Sequence, residues 1–342
     1  MATPWDWVPD PRPWSEVVAR AADEWRPDPG LRVSVEQFRA GIRRAATERS
    51  AWILHPCMSR LTQAVPSAPV RDLILAAWVA GHTGCPGEVD LTSPLGLWSA
   101  AGDSEVPAGQ CELLALGAAM VECGPVEPAL DLWCRTTGVV TAGSWACLDP
   151  ATFAPLESEL TRSIHQFLAL MSVLGRAAPA LMTWITSATR VVRPLVPVKG
   201  VARSSHDPEV PGLIEVDLSR GPTQTVELVA HETAHLHLRA AQAAAPLVDP
   251  RHEGTYHSPL RPEPRPLMGI LLAYHALAYI CAALEYAAAA AVLQPESAAR
   301  ALEDLTRRRD DARATLDSAR GHLTTAGAGF LDRTHEVADF VA

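Results

Sequence analysis

The sequence predicts a mainly α protein. A helical N-terminal region (residues 1–195) is followed by a helical metal-binding region (residues 196–342), with a short strand or small sheet ahead of that region's first helix. Three observations carry this prediction. Apolar residues recur at three- and four-residue spacing in most segments between proline and glycine breakers. Strand-like alternation is confined to one short stretch, "LIEVDL". The composition also shifts near residue 190, and all ten tryptophans lie at or before Trp184.

Taken in order, the helical segments of the first region are "WSEVVARAADEW", "VSVEQFRAGIRRAATERSAWIL", "PVRDLILAAWVAG", "GQCELLALGAAMVECG" and the long "LESELTRSIHQFLALMSVLGRAAPALMTWITSATRVV". Their tryptophans read as packing anchors, some of which suit a peptide groove. "RPLVPVKGVARSSHDPEVPG" is rich in breakers and reads as an irregular connector. "LIEVDL", residues 213–218, follows as the short strand. A helix starting near Thr223 to Thr225 comes next, then a Pro/His-rich loop from Pro246 to Pro266. Pro266 is a good first-turn residue for the apolar helix after it. "PESAARALEDLTRRRDDARATLDSARGHL" reads as a helix with a solvated charged face, and a last short helix is expected around Leu331 to Val341.

Bulk properties bound the function. A chain of 342 residues, 48% hydrophobic and 20% charged, can bury a large core. A formal net charge of −10 without a basic tract argues against nucleic-acid binding. Seven irregularly spaced cysteines with no CxxC argue against a disulfide framework or a Cys-ligated zinc site. The start, "MATPWDWVPDPRPW", lacks a basic segment followed by an apolar run, so a cytoplasmic location is expected. Residues 267–293 are long and apolar enough to mimic a membrane span. His275, Glu285 and the alanine-rich second half favour a buried helix, and no membrane association is expected.

The chemistry-bearing motif is His-Glu-x-x-His: His231, Glu232 and His235. Two histidines four residues apart on a helix face the same way and can grip one metal ion. The metzincin pattern fails, because Leu238 and Ala241 stand where glycine and histidine are required. A thermolysin-like His₂Glu zinc site would need a later glutamate, for which Glu285 is available without the surrounding motif. His275, on the same helix, is the competing third ligand; ten residues of helix separate the two by about 15 Å, so one metal cannot take both. His252 and His257 in the loop are weaker competitors, His206 can approach from the side, and His237 points off the metal face.

Between the two helices lies "GTYHSPLRPEPRPLMG". Arg261 and Arg265 sit among alternating prolines on a stiff backbone, and the planar guanidinium suits bidentate binding of a carboxylate. The competing structural role is a salt bridge to Glu263 or Asp249, or a helix cap. Together "PGLIEVDL", "ELVAHETAH" and "YHSPLRPEPRPLMGILLAYHALAYI" resemble the HExxH-motif peptide-modification proteins of ribosomal natural-product clusters, over roughly residues 205–290. Some of that family are 2-oxoglutarate-dependent peptide β-hydroxylases. Relatives often carry Tyr-Tyr-Ser-Pro-Trp-Arg where this chain has Tyr256 to Arg261.

The resemblance implies an iron(II) centre that uses 2-oxoglutarate and O2 to hydroxylate a residue of a precursor peptide, typically at Cβ. It implies His231 and His235 as metal ligands, with His275 at the position of a later ligand histidine, and Arg261 or Arg265 on the distal carboxylate of 2-oxoglutarate. Glu232 would then support the site by hydrogen bonding or as an accessory ligand. The alternative is a zinc metallopeptidase in which Glu232 is the general base. A peptide scaffold with a degenerate metal site is a third possibility. A precursor peptide is the expected partner, and a homodimer is compatible with the sequence.

Overall fold

The computed structural model describes Trp5, residues 12–24, 26 and 35–47, and then residues 162–340 apart from 164–165, 168, 190, 196–197 and 207–211. The segments "PVRDLILAAWVAG" and "GQCELLALGAAMVECG" expected as helices lie outside the described residues. The fold is mainly helical. Helices α1 (Arg12–Glu24) and α2 (Val35–Thr47) pack together, and Arg43 meets Asp23 at 2.5 Å. Residues 169–177 are helical and lead through Ala178 into α3 (Pro179–Ala188).

A small three-stranded sheet follows, in the order β1-β3-β2. β1 (Val191–Pro194) runs parallel to β3 (Leu213–Val216), and β2 (Ser204–Ser205) is antiparallel to β3. The boundary expected at residue 195 therefore runs through this sheet, and one hydrophobic core extends from Trp5 to Ala338. The connector read as irregular holds β2. Its two residues are too short, and too polar, to leave an alternating pattern in the sequence.

Helix α4 (Pro222–Ala244) carries the HExxH motif, with Pro222 in its first turn, where a missing N–H costs nothing. The expected loop after it contains a hairpin of β4 (Thr255–Ser258) and β5 (Arg261–Pro266). β5 reads Arg-Pro-Glu-Pro-Arg-Pro, and prolines at every second position hide a strand from propensity rules. They are tolerated when the missing N–H groups face an open edge, which then cannot pair further.

Helix α5 (Leu267–Ala289) is the apolar helix of the sequence. By length and composition it could cross a membrane, yet 83% of its most apolar window is buried inside the fold. It packs against α4, α6 (Pro295–Ser318) and α7 (Thr325–Phe340). Surrounding neighbours explain why it is apolar all round rather than on one stripe. α5 ends in a paired C-terminal motif: the Val292 N–H reaches the Ala287 carbonyl (2.9 Å), the Ala291 N–H reaches Ala288 (2.9 Å), and Ala291 has φ 56°. The start of α7 lies against the loop after α4, where the Thr324 N–H donates to Leu247 at 3.1 Å.

Candidate metal centre

Helix α4 presents His231, Glu232 and His235 near its middle, while Val226, Val229, Ala230, Ala234 and Leu238 bury its other faces. The two histidine rings are 4.4 Å apart between centroids, one edge-on to the other, as the four-residue spacing requires. Glu232 is buried, and its Oε1 lies 3.9 Å from His231 Nε2. At the end of the preceding helix, Thr189 and Thr233 share a buried hydroxyl–hydroxyl hydrogen bond of 2.8 Å, which anchors this stretch of α4 to α3.

The sheet supplies the other half of the site. β2 packs on α4 and is held in place by β3. The Ser204 hydroxyl donates to Glu232 Oε1 at 2.6 Å, and His206 Nδ1 lies 2.8 Å from Glu232 Oε2. Both oxygens of the buried carboxylate are thus engaged by the connector. That connector is itself clamped. Asp217, fully buried, accepts from Arg220 Nε at 2.9 Å, and the same guanidinium donates to the carbonyls of Val198 (2.9 Å) and Val201. The Asp217 N–H donates back to the Arg203 carbonyl at 2.9 Å, directly before β2.

The site contains a group suited to a metal ion: the ligand atoms of His206, Glu232 and His235 lie within 4.8 Å of one another, while the expected ligand His231 stands outside that group with its ring against His235. Burial holds the His231 pKa below its ordinary value, with Glu232 opposing. Burial lowers that of His235 too, aided by His231, His206, His275 and Arg239. Neutral imidazoles keep the lone pairs that metals bind. The buried His206 Nε2 and His235 Nδ1 have no hydrogen-bond partner in the protein. A cluster of imidazoles with orphaned buried nitrogens fits a divalent cation, because an unsatisfied buried polar atom otherwise costs about 1–3 kcal/mol.

The remaining sequence candidates sit as follows. His275 is buried on α5, with Nδ1 3.1 Å from the Thr334 hydroxyl and its ring against Tyr279 and Phe330. It lies outside the 4.8 Å group but near enough to discourage charging of His235. Glu285 is half-buried, and the nearby charge acting on it is Arg309. His237 is a packing residue: its ring stacks on Trp184 at 4.8 Å, Trp184 stacks on Tyr279 at 4.6 Å, and His237 Nε2 lies 3.2 Å from the Trp184 carbonyl. His252 stacks on His322 and meets the Tyr256 hydroxyl at 2.9 Å, while His257 is exposed.

Arg261 and Arg265 lie four residues apart on β5, whose hairpin packs on α5 and α6. Among the described residues, Asp249 pairs with Arg251 rather than with either of them. No ion pair joins Arg261 or Arg265 to a described acidic residue. Arg265 lies along Gly269, where a Cβ would stand 3.4 Å from the arginine's own Cβ.

The sequence missed Ser204, and it gave His206 only as one approach among several. Neither belongs to a motif; strand pairing between β2 and β3 brings them to Glu232. A serine and a histidine two residues apart in a connector too polar for a core were the available signal. No protein-family model matches the chain, and no curated protein matches it.

Proposed function

We propose that the protein is an iron(II)- and 2-oxoglutarate-dependent oxygenase that hydroxylates a residue of a ribosomally made precursor peptide, with His231 and His235 holding the metal. The observation that supports this over a zinc metallopeptidase is the state of Glu232. A hydrolytic base must turn a carboxylate oxygen toward the metal-bound water to take its proton, and existing partners on both oxygens compete with that. Here one oxygen accepts from Ser204 at 2.6 Å and the other faces His206 at 2.8 Å, in a buried position. An oxygenase asks no such proton transfer of this residue, so a carboxylate spent on holding its neighbours is no loss.

When bound, iron(II) with 2-oxoglutarate supplies oxidative decarboxylation coupled to hydroxylation of an unactivated carbon. The chain's own residues do the rest. The imidazoles of His231 and His235, neutral and fixed on one helix, are the metal donors. Glu232 orients its surroundings through two hydrogen bonds. Arg261 and Arg265, on a proline-stiffened strand and without an acidic partner among the described residues, are suited to a co-substrate carboxylate.

The test is succinate production. Protein loaded with iron(II) and supplied with 2-oxoglutarate and O2 is expected to release succinate and CO2, slowly without peptide and faster with the right one. His231→Ala should abolish this. Zinc-loaded protein that instead cuts peptides, and stops cutting on Glu232→Gln, would establish the metallopeptidase reading.

A further inference from the structure

We infer that His206, from the connector, is the third protein ligand of the metal, and that Glu232 is the carboxylate that orients it rather than a ligand or a base. The inference rests on the metal centre proposed above, but not on 2-oxoglutarate or on which metal is native.

The argument starts with the proton on His206. Its Nδ1 lies 2.8 Å from Glu232 Oε2, and an ionised carboxylate can only accept. Nδ1 is therefore protonated, which leaves Nε2 as the nitrogen that can offer a lone pair to a metal. That Nε2 is buried and has no hydrogen-bond partner in the protein, while the His206 ring sits 5.0 Å from that of His235. A partly buried imidazole with one nitrogen on a carboxylate and the other, itself buried, orphaned beside a metal-binding histidine is the carboxylate–histidine–metal arrangement, in which the carboxylate fixes tautomer and ring angle.

The surroundings are built for that role. Ser204 takes the other oxygen of Glu232, so the carboxylate cannot swing toward the metal without losing a 2.6 Å hydrogen bond. The Asp217–Arg220 clamp holds the Val198 and Val201 carbonyls, and hence the segment running into β2. His275 is differently placed: its Nδ1 is on the Thr334 hydroxyl and its ring lies against Tyr279 and Phe330, whereas the His231 ring stands 4.4 Å from that of His235. The three-histidine set is thus His231 and His235 from one helix and His206 from a sheet edge.

The test is cobalt(II) binding to the full-length, metal-free protein, read by visible d–d absorption and by competition with a chromophoric chelator. His206→Ala is expected to weaken cobalt by more than 100-fold, and imidazole in the buffer is expected to restore the absorption. Glu232→Gln should keep one cobalt per chain with affinity reduced about 10–100-fold, as for loss of a ligand's hydrogen-bond partner. His275→Ala should bind as the wild type does. X-ray absorption on the cobalt-loaded wild type should count three imidazoles, and this arm stands even if His206→Ala fails to fold.

Cobalt affinity unchanged in His206→Ala, a loss that follows His275→Ala, or a count of two imidazoles with a carboxylate would each overturn the assignment. Protein that behaves as expected with cobalt yet makes no succinate would sink the oxygenase reading alone and leave His206 in place.

Discussion

Glu232 is the residue on which the two chemistries proposed for this motif make different demands. In a hydrolase its value lies in an oxygen turned toward the metal-bound water; here both oxygens serve Ser204 and His206. Ser204→Ala should therefore loosen Glu232 and His206 together. Metal affinity is expected to fall about 10-fold with the fold intact, measured by chelator competition alongside circular dichroism. A second residue-scale prediction concerns Gly327, at the start of α7. A Cβ there would stand 1.8 Å from the Leu247 carbonyl oxygen, which is backbone and cannot rotate away. Gly327→Ala should cost roughly 1–3 kcal/mol, visible as a lower midpoint in thermal unfolding, because the α7 start and the loop after α4 must separate.

At the scale of elements, the ends of α5 and the polar connector carry most of what the sequence did not reveal. α5 closes with Ala291 in the left-handed region, the position glycine usually fills. Ala291→Gly is expected to raise stability by about 0.5–1 kcal/mol, since it relieves a Cβ clash and loses only part of that gain to unfolded-chain entropy. Unchanged or lower stability in denaturant melts would show that the strain is absent. The long helices were legible because burial imposes a 3.6-residue period: α4 begins at Pro222 and α6 at Pro295, close to their expected starts. α7 was expected only from Leu331, because its first turn, Thr325 to Gly329, is glycine- and alanine-rich and carries little periodic signal. β2 was not legible, since two serines paired to a neighbour leave no pattern. The hairpin was read as loop because β5 alternates proline. The site divides the same way: His231, Glu232 and His235 follow from spacing on one helix, whereas Ser204 and His206 depend on a strand register no local rule reports.

For the whole molecule, the organising feature is an apolar helix enclosed by α4, α6 and α7, with buried imidazoles along its α4 side. These make stability depend on pH. Burial lowers the pKa of His237 to about 3, against about 6.5 unfolded. Below pH 6.5 the unfolded chain takes up a proton that the native state refuses, so stability is full above 6.5 and is lost as pH falls toward 3. His275 is shifted in the same direction, also by burial. Metal-free protein should show a falling unfolding midpoint across that window, with a shallower slope in His237→Phe; a flat profile would mean these imidazoles are not buried as described. The central proposal is that the histidine site on α4 is a metal centre that takes 2-oxoglutarate. Its most direct test is anaerobic addition of iron(II) and then 2-oxoglutarate, monitored for the weak visible metal-to-ligand charge-transfer band. The account predicts that the band appears and is lost in His231→Ala; folded, metal-loaded protein that gives no band would contradict it.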